Sequence, residues 1–430
     1  NIIVSLYFQT LHFLLSRLLN MKRTPEQPII FLDTFILKDT FSTDRGFIDR
    51  YYTGYENYLT DEENDSIWYS PTIIDIKNPV DLYKIWKNQT YSKKNILCEE
   101  AWLDFFGYLK SFYLSFFLHK NVRTIPRYRD YDVSDYLRLE LKKEICSPGL
   151  VKALNKFFYI KKLSKEVEIS KAINWHENQD IDRAINMAFK EFYPNILVFG
   201  YQGYVSPRCD LHKNPIDFEL NKGTLPDSIG VISAENARYK LDLCPGLDVI
   251  ISPALRFSYL HEAKESIDYS RNTKIFVPLS ADLDDAKRVI NFCLKLIGKI
   301  KDENQIVFKI HPKYAYKDFI NLVPELNSEF FSITKTSVQE NMKNSCMFFS
   351  SSSSACVEAF SLGIPVSILA NPQGVTMNPI SNYSDEECRI IYTEEDFLKF
   401  LKLQNYKKEM KVERFFHKVI KEEVRQIFLP

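Results

Sequence analysis

Residues 346–365 have the sequence CMFFSSSSSACVEAFSLGIP, and this stretch indicates the fold class. An apolar run that fits a buried strand leads into five serines, and the short helical pattern that follows is stopped by Gly363 and Pro365. The serines are Ser350, Ser351, Ser352, Ser353 and Ser354. A strand, a polar turn and a helix in this order are typical of the β-α-β units that build parallel sheets.

The same alternation extends outward from this stretch along the chain. In the C-terminal half, further strand-like runs lie at residues 274–279, 306–310, 330–333 and 365–369. In the N-terminal half they lie at residues 29–32, 67–69, 196–199, 229–232 and 249–251, and residues 80–170 are mostly helical in pattern. Strands separated by helices predict an α/β protein with a parallel sheet in each half.

Length and composition set the number of domains and exclude some functions. The chain has 430 residues, with 56 Lys plus Arg against 56 Asp plus Glu, so it lacks the basic excess that general nucleic-acid binding needs. Only 12 glycines occur and no G-x-G-x-x-G, which argues against a dinucleotide loop. At about 150 residues per domain we expect two main domains. The predicted parts are an apolar helix (1–26), an N-terminal Rossmann-like domain with a helical insertion (27–265), a C-terminal Rossmann-like domain (266–400) and a closing amphipathic helix (401–430).

Cysteines and apolar segments bear on the location of the protein. The eight cysteines are scattered without a C-x-x-C pair, which favours reduced thiols in the cytoplasm over disulfides or a zinc site. Polar residues, Arg17 among them, interrupt the apolar residues 1–20, so we predict a docked or interfacial helix rather than a spanning one. The aromatic run Trp102 to Leu118 predicts a buried helix. We therefore expect a cytoplasmic protein, and peripheral contact with the inner face of the cytoplasmic membrane is left open.

The serine run has the features of an anion site. Free backbone N–H groups and hydroxyls at a helix start can bind a phosphate, helped by the helix dipole. Glu358 lies about one turn into the predicted helix, where its carboxylate could accept hydrogen bonds from ribose hydroxyls. The alternative is that one serine caps the helix, the others fill the turn, and Glu358 is simply solvated.

A second signal lies about forty residues upstream. The segment Lys309-Ile310-His311-Pro312 directly follows a predicted strand, and Pro312 cannot continue a sheet. His311 is therefore expected at the carboxyl end of that strand, the edge at which open parallel sheets bind ligands. Because the serine run also follows a strand, both segments should open onto one edge. His311 could donate to a phosphate and, as a cation, help a nucleotide leave.

The pair K-x-H-P and S-S-S-x-x-x-E-A-x-x-x-G-x-P resembles the HP and SS motifs of bacterial GT-B glycosyltransferases. The likeness is strongest to enzymes that use CMP-activated acidic sugars, the sialyltransferases and Kdo transferases. The N-terminal half is similar to bacterial surface carbohydrate biosynthesis proteins in three segments. These are Trp175 to Gln179 (WHENQ), Gly200 to Tyr204 (GYQGY) and Pro253 to Leu260 (PALRFSYL).

This resemblance implies a GT-B fold, in which two Rossmann-like domains face a central cleft. It implies transfer of an acidic sugar (Kdo or a sialic-acid-like ulosonic acid) from a CMP donor to a glycan or glycolipid acceptor, as in capsule or lipopolysaccharide assembly. The implied nucleotide-binding residues are Lys309, His311, Pro312, Ser350, Ser351, Ser352, Ser353, Ser354 and Glu358.

The resemblance also implies catalytic residues on the N-terminal side of the cleft. Glu177 is the best placed carboxylate, as a general base or as the acid/base partner of a second carboxylate, and the other possibility is a helix-capping acid. Glu235 is in reserve, and His311 would assist the leaving phosphate. Gln202, Arg256 and Asp210 are candidates for sugar or acceptor contacts. Arg256 could equally form a structural ion pair.

No zinc-protease, P-loop or carboxylate-rich metal motif occurs, and two loose D-x-D matches (Asp130 with Asp132, Asp282 with Asp284) are expected to face solvent. We therefore predict metal independence and no cofactor beyond the donor. Two alternatives remain open. One is a CDP-polyol phosphotransferase of the teichoic-acid type, which would need a second histidine, His176 or His212. The other is a non-catalytic scaffold of a glycan assembly complex.

Overall fold

The computed structural model describes most of the chain and contains two separate parallel sheets. The described residues are 2–37, 40–42, 46–74, 76, 78–117, 120, 127–206, 210–263, 273–300, 304–326, 331–351, 353–380, 387–402 and 410–430.

The N-terminal half is built around the first six-stranded sheet. Its strands and two small hairpins are β1 (Ile29–Ile36), β2 (Phe41–Ser42), β3 (Gly46–Phe47), β4 (Ile67–Ile73), β5 (Arg127–Tyr128), β6 (Tyr131–Asp132), β7 (Ile169–Trp175), β8 (Leu197–Gln202), β9 (Ser228–Val231) and β10 (Asp248–Ile251). The sheet order is β10-β9-β8-β7-β1-β4, all parallel. The helices are α1 (Ile2–Leu18), α2 (Asp61–Asp65), α3 (Pro79–Tyr91), α4 (Glu99–Trp102), α5 (Phe105–Phe117), α6 (Ser134–Glu144), α7 (Pro148–Leu163), α8 (Asp180–Phe192), α9 (Asp217–Asn221), α10 (Ala234–Leu243) and α11 (Tyr259–Ala263).

The C-terminal half contains the second sheet, in the order β13-β12-β11-β14-β15-β16, again all parallel. Its strands are β11 (Lys274–Pro278), β12 (Gln305–Lys309), β13 (Phe331–Ile333), β14 (Met347–Ser350), β15 (Val366–Leu369) and β16 (Cys388–Ile391). Its helices are α12 (Leu283–Lys295), α13 (Tyr316–Leu322), α14 (Val338–Lys343), α15 (Ala355–Ser361), α16 (Glu394–Lys402), α17 (Val412–Phe415) and α18 (Lys421–Phe428). The predicted α/β class is confirmed, and the predicted boundary at 265/266 falls outside the described residues.

Strand β7 is the main element that sequence reasoning missed. It lies in the middle of the first sheet, between β8 and β1, although its sequence ISKAINW contains a lysine. The buried Lys171 ammonium donates to the carbonyls of Gln426 and Leu429 at distances of 2.7 and 2.6 Å. Burial lowers the pKa of Lys171 to about 8. A lysine is tolerated in this strand because the end of the chain supplies its hydrogen-bond acceptors.

The C-terminal segment packs back across the N-terminal half, as predicted, but as two short helices rather than one. Between α17 and α18 the chain is extended, where His417 N–H donates to the Ile232 carbonyl (2.7 Å) and Ala254 N–H donates to the His417 carbonyl (3.0 Å). The backbone at His417 is extended because it bonds residues that follow β9 and β10. This extended segment interrupts the helical pattern predicted for the end of the chain. Phe428 of α18 stacks on Tyr55 with ring centroids 4.2 Å apart.

The aromatic helix α5 differs from its prediction. It buries Tyr108, Ser111 and Ser115, whereas Phe106 is 79% exposed and Tyr113 63% exposed. The helix packs against α7 but leaves much of its aromatic surface exposed, so the buried helix predicted from composition is wrong. No helix in the described part of the chain is long and apolar enough to cross a membrane.

Candidate functional site

The carboxyl edge of the second sheet brings the two predicted nucleotide segments together. Strands β12 and β14 flank β11, so His311 and the serine run follow strands about two strand spacings, roughly 10 Å, apart. Both segments contact the chain that leaves β11. Ser350 Oγ donates to the Pro278 carbonyl (3.3 Å), and Tyr314 Oη donates to the Ala281 carbonyl (2.8 Å). The edge predicted from the sequence is therefore present.

His311 is positioned with one ring nitrogen available. Its Nδ1 accepts the N–H of Lys313 at 3.1 Å, which leaves the proton on Nε2. Partial burial, together with the positive charge of Lys313, lowers the pKa of His311. The imidazole is therefore a neutral donor at neutral pH, and an approaching phosphate dianion would favour its protonation. Pro312 is exposed in the turn, and the Lys309 ammonium donates to the Thr336 carbonyl at 2.5 Å.

The five serines do not play equal roles. Ser350 and Ser351 are buried, and both hydroxyls are already donated, Ser350 to Pro278 and Ser351 to the Asp285 carboxylate. Arg288 lies 2.6 Å from Asp285 on the other side and holds that carboxylate in place. Ser350 thus anchors the loop to the end of β11 and Ser351 anchors it to α12, so the assignment of these two hydroxyls as phosphate donors does not agree with the structure. Ser352 lies outside the described residues.

The remaining serines are better placed for a ligand. Ser353 Oγ accepts the N–H of Ala355 at 3.3 Å, so its own hydroxyl proton is not used in that bond. Ser354 is exposed just before α15 and its side chain makes no capping bond. Within the described part of the run, Ser353 and Ser354 are thus the two hydroxyls that a phosphate could meet.

Glu358 joins the two halves of the protein. Its Oε2 accepts a hydrogen bond from Tyr259 Oη of α11, in the N-terminal half. Burial raises the pKa of Glu358 to about 7, although the Tyr259 bond and the Arg256 charge act in the opposite direction. The carboxyl group is therefore close to half-ionised at neutral pH, which is unusual for a glutamate.

Arg256 links Glu358 to the carboxyl edge of the first sheet. It is exposed, lies close enough to Glu358 to affect its pKa, and its guanidinium lies 5.5 Å from the Trp175 ring centre. Trp175 Nε1 donates to Glu177 Oε1 at 2.8 Å, and Gln179 Nε2 donates to Glu177 Oε2 at 3.0 Å. Glu177, Arg256 and Glu358 therefore lie in one connected region between the sheets.

A polar cluster continues from Glu177. The Lys213 ammonium lies 3.7 Å from Glu177 Oε2 and 3.5 Å from Asp210 Oδ2. His212 Nδ1 lies 2.7 Å from Asp210 Oδ1, and the imidazole is 59% exposed. A carboxylate on Nδ1 fixes the tautomer in which Nε2 can accept a proton.

A cavity of about 300 Å³ opens beside this cluster at the start of α8. Asn178 has a left-handed backbone (φ 58°), which asparagine tolerates, and its amide donates to the His212 carbonyl at 3.0 Å. The lining is mixed, with the apolar Ile181 among polar side chains. It includes Gly149, Asn178, Gln179, Asp180, Arg183 and His212.

Three residues singled out from the sequence are buried or already paired with other side chains. Gln202 is buried, and its amide donates to the Lys213 carbonyl at 3.4 Å, so it helps to hold the backbone of the polar cluster in place. Glu235 accepts from Tyr239 at 2.8 Å and lies 3.8 Å from Arg414 of α17. His176 is fully buried, and burial lowers its pKa to about 3. Sequence position indicated the right sheet edge but not which way these side chains point.

Sequence reasoning missed Tyr259, Lys213 and Asp285. Tyr259 lies within PALRFSYL, but nothing local shows that it meets Glu358, 99 residues later. Asp285 was recognisable only as an acid in the first turn of α12. The described residues contain no group of three or more His, Cys, Asp or Glu side chains that could hold a metal ion. Asp130, Asp132, Asp282 and Asp284 are exposed, as expected.

Comparison with known proteins supports the fold. No protein-family model and no curated sequence matches the chain. A UDP-GlcNAc 2-epimerase from Methanocaldococcus jannaschii, in complex with UDP-GlcNAc and UDP, is similar in structure, with a TM-score of 0.51 and 12% identity over 93% of this chain and 98% of that one. The UDP-GlcNAc 2-epimerase from Neisseria meningitidis, bound to UDP-GlcNAc, has a TM-score of 0.50 and 13% identity, with the same coverage. With two parallel six-stranded sheets and this similarity along nearly its whole length, the chain has the GT-B fold.

Proposed function

We propose that the chain is a glycosyltransferase that moves an acidic sugar, Kdo or a sialic-acid-like ulosonic acid, from a CMP donor to a bacterial surface glycan. The observation that carries this proposal is the contact between the halves, where Tyr259 of the first donates to Glu358 of the second and the charge of Arg256 lowers the pKa of Glu358. It lies next to the sheet edge that carries His311. A donor nucleotide and an acceptor can meet in such a cleft.

The C-terminal half supplies the nucleotide contacts. His311 Nε2 and the hydroxyls of Ser353 and Ser354 donate to the CMP phosphate, and Glu358 accepts from the ribose. Arg256 is exposed and close enough to Glu358 to affect its pKa, and its guanidinium can bind the carboxylate of an acidic sugar in a bidentate manner. The arginine supports an acidic donor over a neutral one.

The N-terminal half supplies the acceptor side. Glu177 takes the proton of the acceptor hydroxyl as its oxygen forms a bond to the anomeric carbon. The bond from that carbon to the phosphate oxygen breaks, and CMP leaves with the electron pair, stabilised by His311. This mechanism uses no cofactor. In this proposal the enzyme works in the cytoplasm, at the inner face of the membrane.

Titration calorimetry with CMP, CDP and UDP, followed by transfer assays with CMP-Kdo and CMP-sialic acid, tests the assignment. We expect CMP to bind most tightly and His311→Ala to reduce both nucleotide binding and transfer by about 100-fold. His417→Ala is the matched control, because its imidazole pairs with Glu423 at 2.8 Å in the C-terminal segment. Unchanged turnover of the His311 variant would reject the proposal.

One observation favours a second candidate, the CDP-polyol phosphotransferase. Such an enzyme attacks at phosphorus and needs a second histidine, and His212 is exposed and paired with Asp210. Preferential CDP binding, with transfer abolished in His212→Ala, would select this function. A chain that binds none of the three nucleotides would be a scaffold.

A further inference from the structure

The surface formed by α1 and α5 is unusually apolar. Both helices expose large side chains at helical spacing, so each presents a stripe rather than scattered residues. On α5 these are Phe105, Phe106, Leu109, Tyr113 and Phe116, and on α1 they are Tyr7, Leu14 and Leu18. An exposed patch of this kind generally marks a binding surface.

The two stripes form one surface. Phe13 of α1 stacks on Tyr108 of α5 (5.6 Å between centroids) and meets Phe105 (6.4 Å), while Arg17 donates to the Leu103 carbonyl at 2.5 Å. Residues further along α1 contact residues earlier in the chain, so the helices run antiparallel. Viewed down its own axis, each helix places its exposed stripe about 60–100° around from the residues that contact the other helix, in the same rotational sense. Because the helices are antiparallel, this puts both stripes on one face of the pair.

The charged side chains of α1 and α5 are all positive. Residues 2–18 and 105–117 contain no Asp or Glu, and Arg17, Lys110 and Lys120 are exposed beside the stripes. Asp104, at the start of α5, is the nearest carboxylate in sequence, and its Oδ1 accepts the Gly107 N–H at 2.6 Å. A second copy of the chain would bring these cations against one another, whereas an anionic surface would neutralise them.

We propose that the α1–α5 surface docks on a membrane that contains anionic lipids, with both helices lying in the plane of the interface. At 13 residues α5 is too short to cross a bilayer, which needs about 20. Aromatic side chains flanked by lysine and arginine are the residue types that bind the headgroup region of a membrane. This inference extends the proposed membrane location to a defined surface, and it does not depend on the identity of the donor.

Co-sedimentation with vesicles tests the surface. We expect the full chain to bind vesicles of phosphatidylglycerol and phosphatidylcholine in equal parts, and much less to bind pure phosphatidylcholine. Phe106→Ser with Tyr113→Ser should weaken binding at least about tenfold, since each ring contributes buried apolar area. Val375→Ser with Tyr392→Ser is the matched control, because these residues are also exposed but lie in the C-terminal half.

A charge-reversed variant, Lys110→Glu with Lys120→Glu, keeps the test valid should the serine variant misfold. It should lose binding to anionic vesicles while its thermal melt stays unchanged. Equal sedimentation of wild type and both variants would overturn the proposal. A dimer in light scattering that the serine variant dissociates, without vesicle binding, would also overturn it and assign the surface to a second copy. CMP calorimetry on the same variants reports the proposed function separately.

Discussion

The raised pKa of Glu358 makes nucleotide affinity depend on pH in a defined direction. A carboxylate can accept hydrogen bonds from two ribose hydroxyls, whereas the protonated acid has lost much of that capacity. Because the pKa is about 7 rather than the ordinary 4.5, the change falls within the working range of most proteins. Binding should weaken as pH falls through 7, and Glu358→Gln should remove this dependence.

The size of the effect follows from the fraction ionised. With a pKa of about 7, only about 3% of the groups are ionised at pH 5.5 and about 90% at pH 8. If only the carboxylate binds ribose, CMP affinity falls about 30-fold between these conditions. The CMP phosphate also gains a proton near pH 6, which weakens binding, and His311 gains one at lower pH, which strengthens it.

Calorimetry with CMP at several pH values, on wild type and Glu358→Gln, separates these contributions. At each pH, the ratio of wild-type to Glu358→Gln affinity removes the protonation of the CMP phosphate and of His311, because both proteins share these groups. The ratio therefore reports the ionisation of Glu358 alone. Tyr259→Phe should move the midpoint to higher pH, because it removes a donor that stabilises the carboxylate. Tyr193→Phe is the control, since its hydroxyl donates to the Val167 carbonyl at 2.9 Å, at the opposite edge of the first sheet. Parallel pH profiles for wild type and Glu358→Gln would refute the ribose role.

Three further predictions concern stability. Lys156→Met should lower the free energy of unfolding by about 3–5 kcal/mol at pH 8, because the buried ammonium lies 3.4 Å from both Asp33 and Glu99. The loss should be smaller at pH 5, since buried carboxylates with raised pKa values destabilise the fold only once pH is high enough to ionise them. Phe428→Ala should cost about 3–5 kcal/mol, because its buried ring stacks on Tyr55. Gly230→Ala should cost about 1–3 kcal/mol, because a Cβ would lie 2.5 Å from Ser252 Oγ and against the Phe199 ring.

Urea denaturation measures these changes, with the exposed Lys143→Met as a control near zero. A Lys156 variant equally destabilised at both pH values would show that the carboxylates are not the cause. If Phe428→Ala were neutral, α18 would contribute little to the N-terminal half. A stable Gly230 variant would mean that β9 can shift away from β8.

Part of the site was predictable because local pattern determines strand ends. His311 and the serine run each follow an apolar strand, and parallel strands share a carboxyl edge, so their meeting needed no knowledge of side chains. The burial of Gln202 and His176 was not predictable from the sequence. Both are polar residues at strand ends, as the exposed residues of the site are, so residue type does not tell the two groups apart. Gln202 bonds the loop 210–214 through the Lys213 carbonyl, and the backbone of His176 bonds Tyr201 and Tyr204.

By itself the sequence determined the α/β class, the two-part organisation and the sheet edge that carries His311, because periodicity and turn residues act over a few neighbours. Tertiary structure alone decided that β7 enters the first sheet, that Tyr259 meets Glu358, and that α5 leaves an aromatic stripe exposed. Each of these depends on residues distant in the chain, such as the C-terminal carbonyls that accept from Lys171. Only packing of the whole chain, which buries apolar area and satisfies buried polar groups together, selects such contacts.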